Sequence, residues 1–316
     1  MRLAVINHWY DKKSAVFWNK DGFLRMLQVL RDRDGWEVKF FKKHDKTFEW
    51  IHDYVNLHFS SNPAEALKNW KPDAILFFCD GGSPVIKELE DYKVPKALCY
   101  TGGRFKDYLK LVDIIFVESK AYVDWMRGMG LNVVQAFGTN TELFKPIEMP
   151  KFWEGIFPAT GAAWKRHWLF AEAMMSRGLV CGWWQEHEPE CLEVCKKWRT
   201  GILHHQMPES LVYLYNMSHT CVITSSDIGG SQRTVLEALA CNIPTIVMAD
   251  STMTAEYIRE CGQGEIVEPN APDIRNAVER LKYTKTTTRD WVLKNYSEFV
   301  YADKIKKGLN EVSKSN

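Results

Sequence analysis

The stretch SSDIGGSQRTVLEALACNIPTIVM, residues 225–248, decides the fold. A polar loop containing Gly229 and Gly230 opens into an apolar helical run, and Pro244 leads into a strand. Residues 220–224 before it read as another strand, so the order is strand, Gly-rich turn, helix, strand. Such a turn directs free N–H groups and the positive end of a helix dipole at one point, which suits a phosphate. Asp227, Gly229, Gly230, Ser231, Gln232, Arg233 and Thr234 make up that turn. Glu237 lies in the first helical turns, where a carboxylate can accept from vicinal hydroxyls, as an acid does for ribose in dinucleotide folds.

The same alternation runs outward in both directions. Toward the N-terminus, residues 3–6, 36–41, 74–78, 96–100 and 113–117 read as strands, residues 131–137 close the set, and helices are expected at 22–30, 84–89, 105–111 and 121–129. Around the decisive stretch, strands are expected at 155–159, 179–183, 201–204, 220–224, 243–248 and 264–267, with helices at 234–241 and 273–281. Repeated β-α-β order with right-handed crossovers predicts parallel, doubly wound sheets with helices on both faces. Pro146 and Pro150 interrupt the pattern and mark a linker. The expected organisation is an α/β chain of two Rossmann-like domains, 1–146 and 147–287, facing a cleft, then helices within 288–316 packing back on the first domain. Ligands in open α/β sheets bind at the carboxyl ends of the strands.

The chain has 316 residues, enough for two domains at roughly 100–200 residues each. Its net charge of +1 supplies no global field toward polyanions, so no stable nucleic-acid binding is expected. The basic cluster Lys39, Lys42, Lys43 and Lys46 reads as a strand end with a solvated loop, and Lys304, Lys306 and Lys307 leave peripheral membrane contact open. The first apolar run is too short for a signal peptide, and the eight cysteines lack framework spacing, which predicts a cytoplasmic protein with reduced thiols. Cys191 and Cys195 near His187 have helix-face spacing with no second ligand pair, so no metal site is expected. Asp32 and Asp34 form a D-x-D triplet in a helix-to-strand turn and read as turn residues.

The run LEALACNIP around Glu237 resembles the donor-binding motif of retaining family-4 glycosyltransferases of GT-B fold, where two glutamates stand eight positions apart. The resemblance implies that Glu237 holds the donor ribose. The first glutamate is replaced by Gly229, with Asp227 as a nearby substitute. FPATGAAWKRHWLFAEAM, residues 157–174, is similar to the family's strand, basic pair and helix. It implies that Gly161 and Lys165 face the donor and that Lys165 neutralises the diphosphate. The family arginine falls on Thr160, leaving Arg166 or Arg233 as replacements. GTNTELFKP (138–146) and PESLVYLYNMSHTCVITSS (208–226) match in the same order, and the last helices, with Trp291 and Tyr296, resemble a pair that crosses back to the first domain.

The resemblance implies metal-independent hexosyl or pentosyl transfer from a UDP- or GDP-linked sugar, with no other cofactor and with Lys165, Arg166 and Asp80 as catalytic candidates. For the acceptor, loops after predicted strands offer His8, Trp9, Asp80, Gly102 and Gly103. The acceptor stays open among a glycan, a lipid-linked sugar, a small molecule and a modified DNA base. Two other readings stay in play: a non-catalytic nucleotide-sugar-binding subunit, which Gly229 would suit, and a GT-B epimerase or hydrolase on the same fold.

Overall fold

A computed structural model describes residues 1–6, 21–52, 55–78, 85–101, 107–182, 188–204, 206–226 and 232–314. The chain divides into two compact units, Met1–Gly138 with Glu298–Asn316, and Thr139–Ser297. The first opens with β1 (Arg2–Ile6), α1 (Gly22–Asp32), β2 (Glu37–Lys43), β3 (Phe48–His52), β4 (Val55–Ser60), α2 (Pro63–Trp70) and β5 (Ala74–Phe78). It continues with α3 (Val85–Glu88), β6 (Lys96–Tyr100), β7 (Ile114–Val117), α4 (Lys120–Arg127) and β8 (Val133–Gln135). The second unit contains β9 (Trp153–Pro158), α5 (His167–Met174), β10 (Gly178–Gly182), α6 (Glu188–Lys197), β11 (Gly201–His204), α7 (Pro208–Asn216) and β12 (Ser218–Ile223). Then come α8 (Arg233–Ala240), β13 (Thr245–Met248), α9 (Thr252–Cys261), β14 (Glu265–Val267), α10 (Ala271–Leu281) and α11 (Thr288–Tyr296). The final helix, α12 (Glu298–Ser313), returns to the first unit.

Local chemistry starts these helices where they start. Asp21, Asn62, Ser119 and Asn270 each accept a backbone N–H of the first turn of α1, α2, α4 and α10, meeting donors the helix itself leaves unpaired. The first sheet has the order β3-β4-β2-β1-β5-β6-β7-β8. Every pairing in it is parallel except that of β3 with β4 at the edge. One face is covered by α1 and α12, through Phe23, Leu27, Leu30, Tyr301, Ile305 and Leu309. The opposite face packs against Leu67, Ile86, Val123 and Met126 from α2, α3 and α4.

The strands β3 and β4 and the helix α2 were not foreseen. Their residues alternate apolar with polar side chains, as in Glu49, Asn56 and His58, because strands near an edge bury only part of their surface. Phe48 stacks on Phe59 at 4.6 Å between ring centroids, which fixes the register of the edge hairpin. Lys39 of the basic cluster bonds Glu49 at 2.8 Å across this edge.

The second sheet is all parallel, in the order β11-β10-β9-β12-β13-β14. All six strands expected here are present. Strand order reverses between β9 and β12, so the topological switch point lies at their carboxyl ends.

The unit boundary falls at Gly138 and Thr139 rather than after residue 146. The stretch expected as a linker is sewn into the second unit. Ile147 N donates to Asn216 Oδ1 at 2.8 Å, and Arg289 donates to the carbonyls of Thr141 and Phe144 at 2.9 and 2.7 Å. The C-terminal helices are likewise split: α11 stays with the second unit and only α12 joins the first. Ser297 is extended and bridges Thr139 in parallel, which ends α11. Of the D-x-D residues, Asp32 ends α1 and bonds Arg31, whereas Asp34 reaches α12. Asp34 accepts from Lys306 at 2.6 Å and Arg33 at 2.8 Å, and these cations hold its carboxyl below the usual range.

Close approach of α12 to β7 depends on Gly308. A Cβ there would stand 2.7 Å from Ile114 Cδ1 and from Phe116 ring carbons. Gly308→Leu should therefore destabilise the chain by ~1–3 kcal/mol, seen as a lower denaturant midpoint. An unchanged midpoint would contradict this packing.

Candidate functional site

Two strand-to-helix turns meet at the switch point of the second sheet. The first follows β9. Ala159 N donates to Cys181 O at 2.8 Å. A Cβ on Gly182, whose φ is +152°, would stand 2.2 Å from Ala159 O, so the end of β10 can approach only as glycine. Gly161 is buried in this turn. A single 3-10 turn (Ala163–Lys165) follows, then Arg166 with φ of 55°, then α5.

That reversal turns Lys165 inward, to 6% exposure. Its ammonium donates to Gln232 Oε1 and lies 4.2 Å from the centre of the Trp164 ring. A charge removed from water must be met by polar groups, so Lys165 is held by what surrounds it. Gln232 is the N-cap residue of α8, yet its side chain does not cap the helix. The Lys165 ammonium thus sits at the N-terminal end of α8, the positive end of a helix and the end from which a helix binds an anion.

The second turn is stitched to the first by backbone and side chain. Ser226 N donates to Trp164 O at 3.0 Å, and Thr224 Oγ1 donates to Lys165 O at 2.8 Å. Arg166 donates to Thr224 O at 2.5 Å and, in bidentate form, to Asp250 at 2.6 and 2.8 Å. The guanidinium is therefore a staple joining the ends of β12 and β13. Its charge holds the Asp250 carboxyl below the ordinary range.

Glu237 lies further along α8, 8% exposed. Tyr215 of α7 donates from its hydroxyl to Glu237 Oε2 at 2.9 Å. Buried thiols of Cys181, Cys221 and Cys241 surround the pair. Burial first, with the Glu237 charge contributing, pushes all three well above the usual thiol range.

The structure brings together Gly161, Lys165, Arg166, Gln232, Arg233, Thr234 and Glu237, all within the second unit. His8, Trp9, Asp80, Gly102, Gly103, Asp227, Gly229, Gly230 and Ser231 lie outside the described residues, as does His187. Among the described residues no group of three or more His, Cys, Asp or Glu is placed to hold a metal. Sequence reasoning missed Thr224, Asp250 and Tyr215. Position gave a signal for two of them, since Thr224 directly follows one strand and Asp250 stands two residues after another.

Comparisons with known proteins point the same way as this geometry. The family model for Glycosyl transferases group 1 matches residues 180–297, a span that includes Tyr215, Gln232 and Glu237. Among solved structures, sucrose-phosphate synthase from Thermosynechococcus elongatus aligns over 100% of both chains, with a TM-score of 0.79 at 14% identity. A glycosyltransferase from Rickettsia africae aligns over 100% of this chain and 99% of its own, at 0.70 and 15%. The Anabaena protein HepE, solved with UDP-glucose, aligns over 98% and 100%, at 0.73 and 10%. At such identities the likeness is one of fold. No curated protein matches the sequence. The chain has the GT-B fold of glycosyltransferases, and the resemblance read from its sequence to that class holds.

One further group at the site titrates. His167, 2% exposed, is pushed down to about 3 by burial and then by the Lys165 charge. The unfolded chain takes up a proton near pH 6.5, whereas the folded chain does so only near 3, so stability falls as pH drops through that window. This group alone should contribute a slope of up to about 1.4 kcal/mol per pH unit. Urea midpoints of His167→Leu should vary less with pH between 6.5 and 4 than those of the wild type. Parallel curves would contradict it.

Proposed function

We propose that the protein is a glycosyltransferase that moves a sugar from a nucleoside-diphosphate donor to an acceptor hydroxyl, with retention of configuration and without a metal ion. The observation that carries this is the meeting of Lys165 with Gln232 at the N-terminus of α8, with Glu237 on the same helix. Lys165 and the α8 amides would offset the charge that develops on the leaving diphosphate. The bond from the anomeric carbon to the diphosphate breaks, a bond to the acceptor oxygen forms on the same face, and the acceptor proton passes to the departing phosphate. Glu237 would accept hydrogen bonds from the ribose.

The HepE complex with UDP-glucose supports a UDP-linked sugar over a GDP-linked one. The buried free thiols Cys99, Cys181 and Cys221 fit a reducing, cytoplasmic setting. Among the described residues no helix is long and apolar enough to cross a membrane. Of the membrane-contact lysines, Lys306 is paired with Asp34 and Lys307 lies 3.9 Å from Glu311. Gly229 in place of the family glutamate favours a second reading, a subunit that binds the donor without transferring it.

Binding and nucleotide release measured with UDP-sugars separate these readings. Turnover that depends on an added acceptor supports the transferase, and binding without turnover supports the subunit. Glu237→Ala should weaken donor binding by ~1.5–3 kcal/mol, the range for a hydrogen bond to a charged group. Lys165→Ala should lower kcat more than donor affinity, because charge on the diphosphate grows during reaction. Unchanged affinity in the first variant, or unchanged kcat in the second, would refute the corresponding role.

A further inference from the structure

We infer that Tyr215 is a positioning residue of the nucleotide site, its hydroxyl holding the Glu237 carboxylate in the orientation that accepts from the ribose. The inference rests on the nucleotide-sugar reading above and adds a residue to it.

Tyr215 is fully buried, at 0% exposure, on α7. Its ring meets Phe144 edge-on at 5.9 Å. Its hydroxyl donates to Glu237 Oε2 at 2.9 Å and lies 3.2 Å from Thr234 O in the first turn of α8. The phenol is thus anchored at its ring and reaches two points of the helix that carries the glutamate. A phenol donates one strong hydrogen bond, whereas the surrounding thiols donate weakly. Burial first, and the neighbouring glutamate charge second, pushes the phenol well above its usual range, so it stays protonated and remains a donor. A glutamate side chain has three rotatable bonds, and freezing them before the ligand arrives lowers the entropic cost of binding.

The test is Tyr215→Phe in the full chain, which removes one oxygen and leaves the ring. Affinities for UDP and GDP, and for their 2′-deoxy counterparts, are measured in wild type and variant. Wild type should prefer the ribose form by about tenfold, the equivalent of one net hydrogen bond. The variant should lose most of that preference, with donor KM raised and kcat held within about twofold. A purely structural tyrosine would lower the melting temperature and leave the ribose preference intact.

A wild type that ignores the 2′-hydroxyl, or that binds no nucleotide, would sink the ribose role of Glu237 and this inference with it. A wild type that discriminates, beside a folded Tyr215→Phe that discriminates equally, would overturn the role of Tyr215 alone. Where Tyr215→Phe does not fold, the double variant Tyr215→Phe/Glu237→Gln, which carries no buried charge at residue 237, is compared with Glu237→Gln. Equal ribose preference in the two supports action through Glu237, and a further loss in the double variant refutes it.

Discussion

A buried ammonium organises the second unit. Lys165 is taken from water by the left-handed turn at Arg166, and Gln232 meets it from the head of α8. That contact ties the exit of β9 to the entrance of α8, two segments far apart in sequence, and places a cation at the N-terminal end of a helix. Gln232 offers a neutral oxygen, the kind of partner a phosphate oxygen can replace while adding opposite charge. The other contacts of the two turns hold this pair in place.

The sheet supplies the rigid base. Reversal of strand order between β9 and β12 opens a crevice at their carboxyl ends, and both turns rise from that point. Arg166 staples Thr224 to Asp250, and Gly182 lets β10 close against Ala159. The glutamate that follows on α8 is braced from below by α7. On the proposed reading, phosphate and ribose recognition share one helix, and misplacement of its first turn would be felt at both ends of the nucleotide.

Much of this was legible in the sequence, for identifiable reasons. The central strands of the second sheet are short apolar runs, largely buried, and such runs announce themselves. Lys165 and Glu237 were singled out because the stretches that carry them resemble a known family's motifs, each a strand followed by a loop and a helix. The edge strands β3 and β4 were not, because their half-exposed faces mix Glu49, Asn56 and His58 among aromatics. The true unit boundary was hidden too. Pro146 and Pro150 look like punctuation, but Arg289 and Asn216, distant in sequence, hold that stretch in the second unit. The staple role of Arg166 depends on a positive φ and on Asp250, neither of which a local pattern encodes. Tyr215 reaches Glu237 across 22 residues, through helix packing alone.

The most direct measurement is a crystal structure of the chain with UDP-glucose bound. The diphosphate should lie within hydrogen-bond distance of the Lys165 ammonium and the first amides of α8, with the ribose hydroxyls on Glu237. A nucleotide seated elsewhere, with Lys165 still on Gln232 and Glu237 far from any ribose, would contradict the account.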